Sequence, residues 1–161
     1  MRIDMKRNIA CVDLFCGAGG LTHGFILEGL PVVAGIDLDP ACRFPYEQNN
    51  GAARFLERDI GTITTTELKE LFGNADVTIL AGCAPCQPFS TYAQRYEVNG
   101  KDGKWGLLYQ FARLAEGTMP DVITMENVPT VAKHAVFHDF VDTLKRLGYE
   151  VWYAVVDSSL Y

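Results

Sequence analysis

Short apolar runs, each ending in glycine, proline or acidic residues, set the tightest limit on how this chain can fold. Ile9–Phe15, Val32–Asp37, Val77–Gly82 and Asp121–Asn127 are the strongest of them. None alternates polar with apolar in the manner of a strand with one wet face, so each reads as a strand covered on both faces. Helical stretches lie between them. Leu21–Glu28 is closed by Gly29, Leu107–Glu116 by Gly117, and Phe137–Leu147 by Gly148. Pro40–Asn49 starts with proline at a first helical position, and Thr66 is expected to cap a helix through Leu71 before Gly73. Arg54–Arg58 reads as a weaker, short strand and Val151–Asp157 as the last one.

Alternating β and α elements with strands buried on both faces predict an α/β fold, a doubly wound and mainly parallel sheet. No repeat, low-complexity tract or linker divides the chain, so residues 1–161 are read as one domain. In this architecture ligands gather at the carboxyl ends of the strands. The unusual residues stand at those ends: Phe15–Gly20, Asp37–Asp39, Asp59, Gly82–Ser90 and Glu126–Pro129. Cys83–Lys104 has no clean period and carries Pro85, Pro88, Gly100 and Gly103, which makes it a long loop. Loops of that length usually serve function or movement.

Composition narrows the class. Hydrophobic residues at 48% and charged residues at 21% fit a folded globular chain. The balance of 14 Lys+Arg against 20 Asp+Glu, net −6, argues at first against a free-standing nucleic-acid binder. The five cysteines are odd in number and scattered, so they read as thiols in a reducing cytoplasm rather than a disulfide framework. No apolar run reaches the roughly 18 residues of a membrane span, and no apolar stretch follows Met1–Ile9 as a secretory signal requires.

Asp13-Leu14-Phe15-Cys16-Gly17-Ala18-Gly19-Gly20 reads as a strand end turning through glycines into a helix. Glycine lets the backbone turn tightly and lets a ligand approach the main chain. Asp37 follows 20 residues after Gly17, at the end of the second strand, where a carboxylate can accept both ribose hydroxyls. The third glycine of the dinucleotide fingerprint is missing, so the pattern favours S-adenosylmethionine over NAD. A purely structural turn remains open. Asp59 could accept from an adenine amino group, or simply be solvated.

Cys86 stands between Pro85 and Pro88 on a backbone with little freedom, as a positioned nucleophile needs. Glu126 ends the next strand on the same sheet edge. In a largely apolar pocket its carboxyl would hold a raised pKa and donate a proton. Alternatives compete here. Cys83 and Cys86 with His134 and His138 could form a zinc site, but the 47 residues between Cys86 and His134 match no finger spacing. A redox pair Cys83/Cys86, an inert buried Cys86, and His134 and His138 as packing residues on one helix face also stay open.

Taken together, these segments resemble the C5-cytosine DNA methyltransferase family, in the family's order. The glycine turn is similar to its first cofactor motif, Gly35-Ile36-Asp37-Leu38-Asp39 to the second and Asp59-Ile60 to the third. Ala81-Gly82-Cys83-Ala84-Pro85-Cys86-Gln87-Pro88-Phe89-Ser90 resembles the catalytic Pro-Cys-Gln motif, Gly106-Leu107-Leu108-Tyr109 a helix start at the adenine, and Met125-Glu126-Asn127-Val128 the Glu-Asn-Val motif. The resemblance implies the Rossmann-like fold of S-adenosylmethionine-dependent methyltransferases. It implies S-adenosyl-L-methionine as cofactor, S-adenosyl-L-homocysteine as product, and no metal.

It also implies roles. Cys86 adds to C6 of a cytosine flipped out of duplex DNA, and Glu126 protonates N3, with Gln87 and Asn127 as further catalytic residues. Pro85, Ser90 and Val128 meet the substrate. Phe15 stacks on the adenine, Asp37 holds the ribose, and Leu38, Asp59, Ile60 and Leu107 line the adenine pocket, while Gly17, Gly19 and Gly20 form the turn. Many relatives carry an aromatic residue where Leu38 stands. The loop Ser90–Lys104, net +1 from Arg95, Lys101 and Lys104 against Glu97 and Asp102, would close over the base.

After Gly148-Tyr149-Glu150 the family continues into a Gln-x-Arg-x-Arg motif and a target-recognition region, which this sequence does not contain. The expectation is therefore the N-terminal catalytic part of a DNA (cytosine-5-)-methyltransferase in a bacterial or phage restriction–modification setting. It is a fragment, or one subunit that needs a second chain for target recognition, with an incomplete sheet and weak activity alone. A tRNA cytosine-5 methyltransferase and a catalytically silent partner subunit are the alternatives. On this reading the acidity does not exclude DNA as substrate; it belongs to the half that does chemistry.

Overall fold

The computed structural model describes residues 7–85, 106–157 and 159. Five strands, β1 Ile9–Leu14, β2 Val32–Asp37, β3 Arg54–Glu57, β4 Val77–Gly82 and β5 Val122–Met125, form one sheet in the order β3-β2-β1-β4-β5. Every pairing is parallel. The helices are α1 Gly20–Leu27, α2 Arg43–Asn49, α3 Thr65–Phe72, α4 Gly106–Thr118 and α5 Ala135–Arg146. The chain winds outward from β1 to β3, returns across β1 to β4, and continues to β5. That reversal puts a crevice between β1 and β4, where open α/β sheets bind ligands.

The two faces explain the uninterrupted apolar runs. Val12, Leu14, Ile36 and Leu80 pack on one side with Leu68 of α3, Phe111 of α4 and Phe140 of α5. Cys11, Ile79 and Ala81 point the other way, onto Tyr46 of α2 and Leu21 and Phe25 of α1. Successive strand residues thus feed separate cores, with the Asp13 side chain a polar group buried among them. The doubly wound parallel sheet is as the sequence implies. No helix among the described residues is long and apolar enough to cross a membrane.

Several boundaries differ. Thr64, not Thr66, caps α3: its Oγ1 accepts from the Glu67 N–H at 3.1 Å while Glu67 Oε2 accepts from the Thr64 N–H at 2.8 Å. That reciprocal box satisfies two donors at once, which a threonine at position 66 would not. Gly117 does not end α4, which runs on to Thr118. A Cβ at Gly117 would overlap the Thr65 side chain, so this glycine admits close contact between α4 and the start of α3. The stop comes at Met119, with φ +50, before Pro120. β5 ends at Met125, leaving Glu126 and Asn127 beyond the strand.

The expected strand Val151–Asp157 does not form. Among the described residues it has no ladder partner, and unpaired backbone gains nothing from a strand conformation. Trp152 is 80% exposed and Val155 75%, although Tyr153 lies edge-on to Phe137 at 5.0 Å.

Candidate active site

Register brings the strand ends side by side. Leu14 pairs with Ile36 on one flank and Gly82 on the other, and Gly82 pairs with Met125. The residues that follow, Phe15, Asp37, Cys83–Pro85 and Glu126, therefore emerge along one edge of the sheet.

The turn after β1 is shaped by backbone that only a few residue types adopt. Phe15 has φ +59, Gly17 +52 and Gly19 +89. For a non-glycine residue such as Phe15 this conformation is costly and marks functional loops. A Cβ at Gly17 would meet no protein atom, so its backbone faces open space that a ligand can approach. Gly19 is the opposite case: a Cβ there would overlap Asn50 Nδ2 and stand 2.7 Å from the Tyr46 ring. Gly20 begins α1.

Below the turn lies a buried polar chain. Thr22 Oγ1 donates to Asp13 Oδ2 at 2.7 Å and lies 3.2 Å from the Tyr46 hydroxyl. Asn50 Nδ2 donates to the carbonyls of Gly19 and Tyr46 at 3.3 and 3.1 Å. Burial pushes the Asp13 carboxyl up to about 6, against the Thr22 hydrogen bond and with help from Glu126 and Asp37. Burial, then Asp13, also pushes the Cys11 thiol up to about 12 and raises Cys16. Burial thus favours the neutral thiol at both positions, unlike the thiolate a nucleophile needs.

Asp37 ties the turn to β2. Its Oδ2 accepts from the Gly17 N–H and its Oδ1 from the Asp39 N–H, both at 2.9 Å. An ionised carboxylate offers about four lone-pair sites, so this duty is compatible with a ribose. Leu38 is half-buried beside it. On the far side, Asp59 caps a 3₁₀ turn at Ile60–Thr62, its Oδ1 accepting from the Gly61 N–H at 2.9 Å. Ile60 is 3% and Leu107 5% exposed. Both are core residues as much as lining.

Pro85 is half-buried at the end of the described part of the loop after β4. Cys86, Gln87 and Ser90, with the rest of the loop through Lys104, lie outside the described residues. Asn127 Nδ2 donates to the Ala84 carbonyl at 3.0 Å, joining the loop after β5 to the loop after β4, and its Oδ1 accepts from the Val128 N–H at 2.8 Å. Val128 is exposed, and so is Glu126. The apolar pocket expected around Glu126 is not formed by the described residues, because Glu126 lies past the sheet's last ladder pair. His134 precedes α5 as its cap rather than sharing a helix face with His138, which packs against Phe137.

The site is an open sheet edge. A cleft of about 730 Å³ lined by Leu30, Val33, Ala52 and Leu71 lies away from all of these residues.

A family model, C-5 cytosine-specific DNA methylase, matches residues 9–161. The chain belongs to that family. The type II methylase M.HgiDII of Herpetosiphon aurantiacus is 49% identical over 150 residues, covering 91% of this chain and 41% of that protein. The type II methyltransferase M.XorII of Xanthomonas oryzae pv. oryzae is 32% identical, covering 87% of this chain and 34% of its own length. The chain thus spans less than half of the length of these methylases. The crystal structure of S. pombe Dnmt2 methyltransferase superposes with a TM-score of 0.69 at 21% identity, over 90% of this chain and 42% of that one. That likeness establishes the methyltransferase fold.

Thr22, Tyr46 and Asn50, which support the glycine turn, are not foreseen from the sequence, nor is Arg113, which donates to the carbonyls of Ile60 and Ile63. No local spacing marks them, because their partners lie on other segments of the chain.

Proposed function

We propose that this chain is the cofactor-binding and nucleophile part of a DNA (cytosine-5-)-methyltransferase of the restriction–modification kind. The observation that carries the reading is the Asn127–Ala84 hydrogen bond at 3.0 Å. It couples the Glu126 loop to the loop that leads into Pro85-Cys86, beside the glycine turn.

The residues present fit an adenosyl cofactor. Phe15 stacks on the adenine, the open backbone of Gly17 admits the ligand, Asp37 holds the ribose, and Asp59, Ile60, Leu38 and Leu107 surround the base. S-adenosyl-L-methionine, when bound, supplies an electrophilic methyl group and leaves as S-adenosyl-L-homocysteine. The Cys86 thiolate forms a bond to C6 of a cytosine flipped from the duplex, while Glu126 gives its proton to N3 so that charge does not build up on the ring. C5 then carries the nucleophilic electron pair. After methylation, water takes the C5 proton, Cys86 leaves as thiolate, the N3 proton returns to Glu126, and the aromatic ring is restored. Flipping is required because C6 is unreachable inside the stack. Gln87, Pro85, Ser90 and Val128 surround that base, and Asn127 positions both loops. Target recognition comes from further polypeptide, in the same chain or a second one.

Covalent trapping tests the reading. A duplex carrying a mechanism-based cytosine analogue, offered together with the cofactor and the target-recognition polypeptide, should yield an adduct that Cys86→Ser abolishes. Persistence of the adduct in Cys86→Ser removes Cys86 as nucleophile. Methyl transfer to duplex DNA and not to tRNA separates this reading from a tRNA methyltransferase. The 161-residue chain alone should transfer little, and robust sequence-specific transfer by it would overturn that part.

A further inference from the structure

Arg113 sits in α4, six residues after Leu107, and reaches across to the segment that follows β3. Its Nη2 donates to the Ile60 carbonyl at 3.1 Å and the Ile63 carbonyl at 3.0 Å, while Nε donates to Gln110 Oε1 at 2.6 Å. All three acceptors are neutral oxygens, and the guanidinium is partly buried. Charged hydrogen bonds of this kind are stronger than neutral ones.

The two carbonyls bracket the turn Ile60–Thr62. At its start the Asp59 carboxylate holds the Gly61 N–H at 2.9 Å, and the Asp59 carbonyl accepts from the Thr62 N–H at 2.9 Å. Just before it, the Arg58 N–H donates to the Asp37 carbonyl at 2.9 Å. The segment is thus pinned to β2 at one end and to α4 at the other. Beside the burial of Ile60 and Ile63 in one core with Leu108 and Phe111, the hydrogen bonds of the second pin come from one side chain, and it belongs to the helix that carries Leu107.

We propose that Arg113 is a positioning residue for base recognition: by fastening both carbonyls it fixes the direction of the Asp59 carboxylate and the place of Ile60 on α4. The inference rests on the reading of Asp59, Ile60 and Leu107 as the adenine pocket. A carboxylate held in one direction accepts from a 6-amino group and repels a 6-oxo group. Such polar discrimination is lost when the acceptor is free to turn.

The test is calorimetric binding of S-adenosylhomocysteine and of its 6-oxo counterpart, S-inosylhomocysteine, to the full chain. Wild type should prefer the adenosyl compound roughly tenfold or more, as expected for one hydrogen bond to a charged group. Arg113→Met keeps the aliphatic length but has no donor, and should bring the two affinities within about twofold of each other. Arg113→Lys, whose ammonium serves one carbonyl at a time, should fall between and carries the test alone if Arg113→Met does not fold. A purely structural loss would weaken both ligands equally and leave their ratio intact. An unchanged ratio in these variants overturns the inference about Arg113. A wild-type chain that binds neither compound, or both alike, overturns the adenine-pocket reading itself and the inference with it.

Discussion

At the scale of single residues, the glycine turn after β1 is held from below as much as from beside. Gly19, at φ +89 and in contact with Asn50 and Tyr46, has room for neither a side chain nor an ordinary backbone. Gly19→Ala should cost about 2–4 kcal/mol, combining backbone strain with overpacking, and weaken S-adenosylhomocysteine binding. Denaturant titration and calorimetry would show both; an unchanged midpoint would mean that Asn50 and Tyr46 move aside freely.

Asp13 makes a second prediction. Its carboxyl titrates near 3.8 in the unfolded chain and up to about 6 in the fold, because burial disfavours its charge. A raised folded pKa means that the stabilising contribution of the neutral acid is complete below pH 3.8 and is lost as pH rises through 6. The loss at neutral pH is about 3 kcal/mol, at about 1.4 kcal/mol per pH unit. Asp13→Asn removes this titration. The stability difference between wild type and Asp13→Asn should therefore slope between pH 4 and 6 and be flat above. A difference independent of pH would show that Asp13 ionises normally.

At the scale of elements, Gly117 shows how one residue type serves two purposes. In sequence it reads as a helix stop, whereas in the fold it is a gap into which Thr65 packs. Gly117→Ala gains intrinsic helix propensity of about 1 kcal/mol but pushes α4 off α3, a cost of about 1–3 kcal/mol. Thermal denaturation should show net destabilisation. Thr65→Ser, which lacks the offending methyl, should recover most of it in the double variant. Additivity of the two changes would disprove the contact. The Glu67 carboxyl of the neighbouring capping box is held down to about 2 by the Thr64 backbone, the Thr64 hydroxyl and Arg58. Its support for α3 is thus present through neutral pH and is lost only as pH falls toward 2.

Elements were more legible than their edges. Strands announced themselves because burial on both faces leaves a continuous apolar run. Asp37 and the glycines were legible because each occupies a backbone or hydrogen-bonding position that few residues fill. Tyr46, Asn50 and Arg113 were not, because their partners lie on segments far away in sequence: Tyr46 meets the Thr22 hydroxyl, Asn50 the Gly19 carbonyl, and Arg113 the Ile60 carbonyl. No local spacing signals that kind of contact.

At the scale of the whole molecule, the stripe Trp152, Val155 and Val156 is exposed at 80%, 75% and 57%. Apolar surface of that concentration favours association. The chain should self-associate at high concentration, and Trp152→Ser with Val155→Ser should return it toward a monomer in sedimentation velocity. Identical profiles would assign the association to another face.

By itself the sequence determined the alternation of strands and helices, the parallel class of the sheet, and which residues stand at the strand ends. Those properties follow from burial period, glycine stops and residue chemistry, all of which are local. The tertiary structure decided that β1 lies between β2 and β4, that Glu126 stands exposed beyond the last ladder pair, and that Val151–Asp157 forms no strand. It also decided that Asp37 and Arg113 fasten the loops at the carboxyl edge of the sheet. Each of these depends on which distant backbone lies alongside, and a strand or a hydrogen bond exists only when its partner is there.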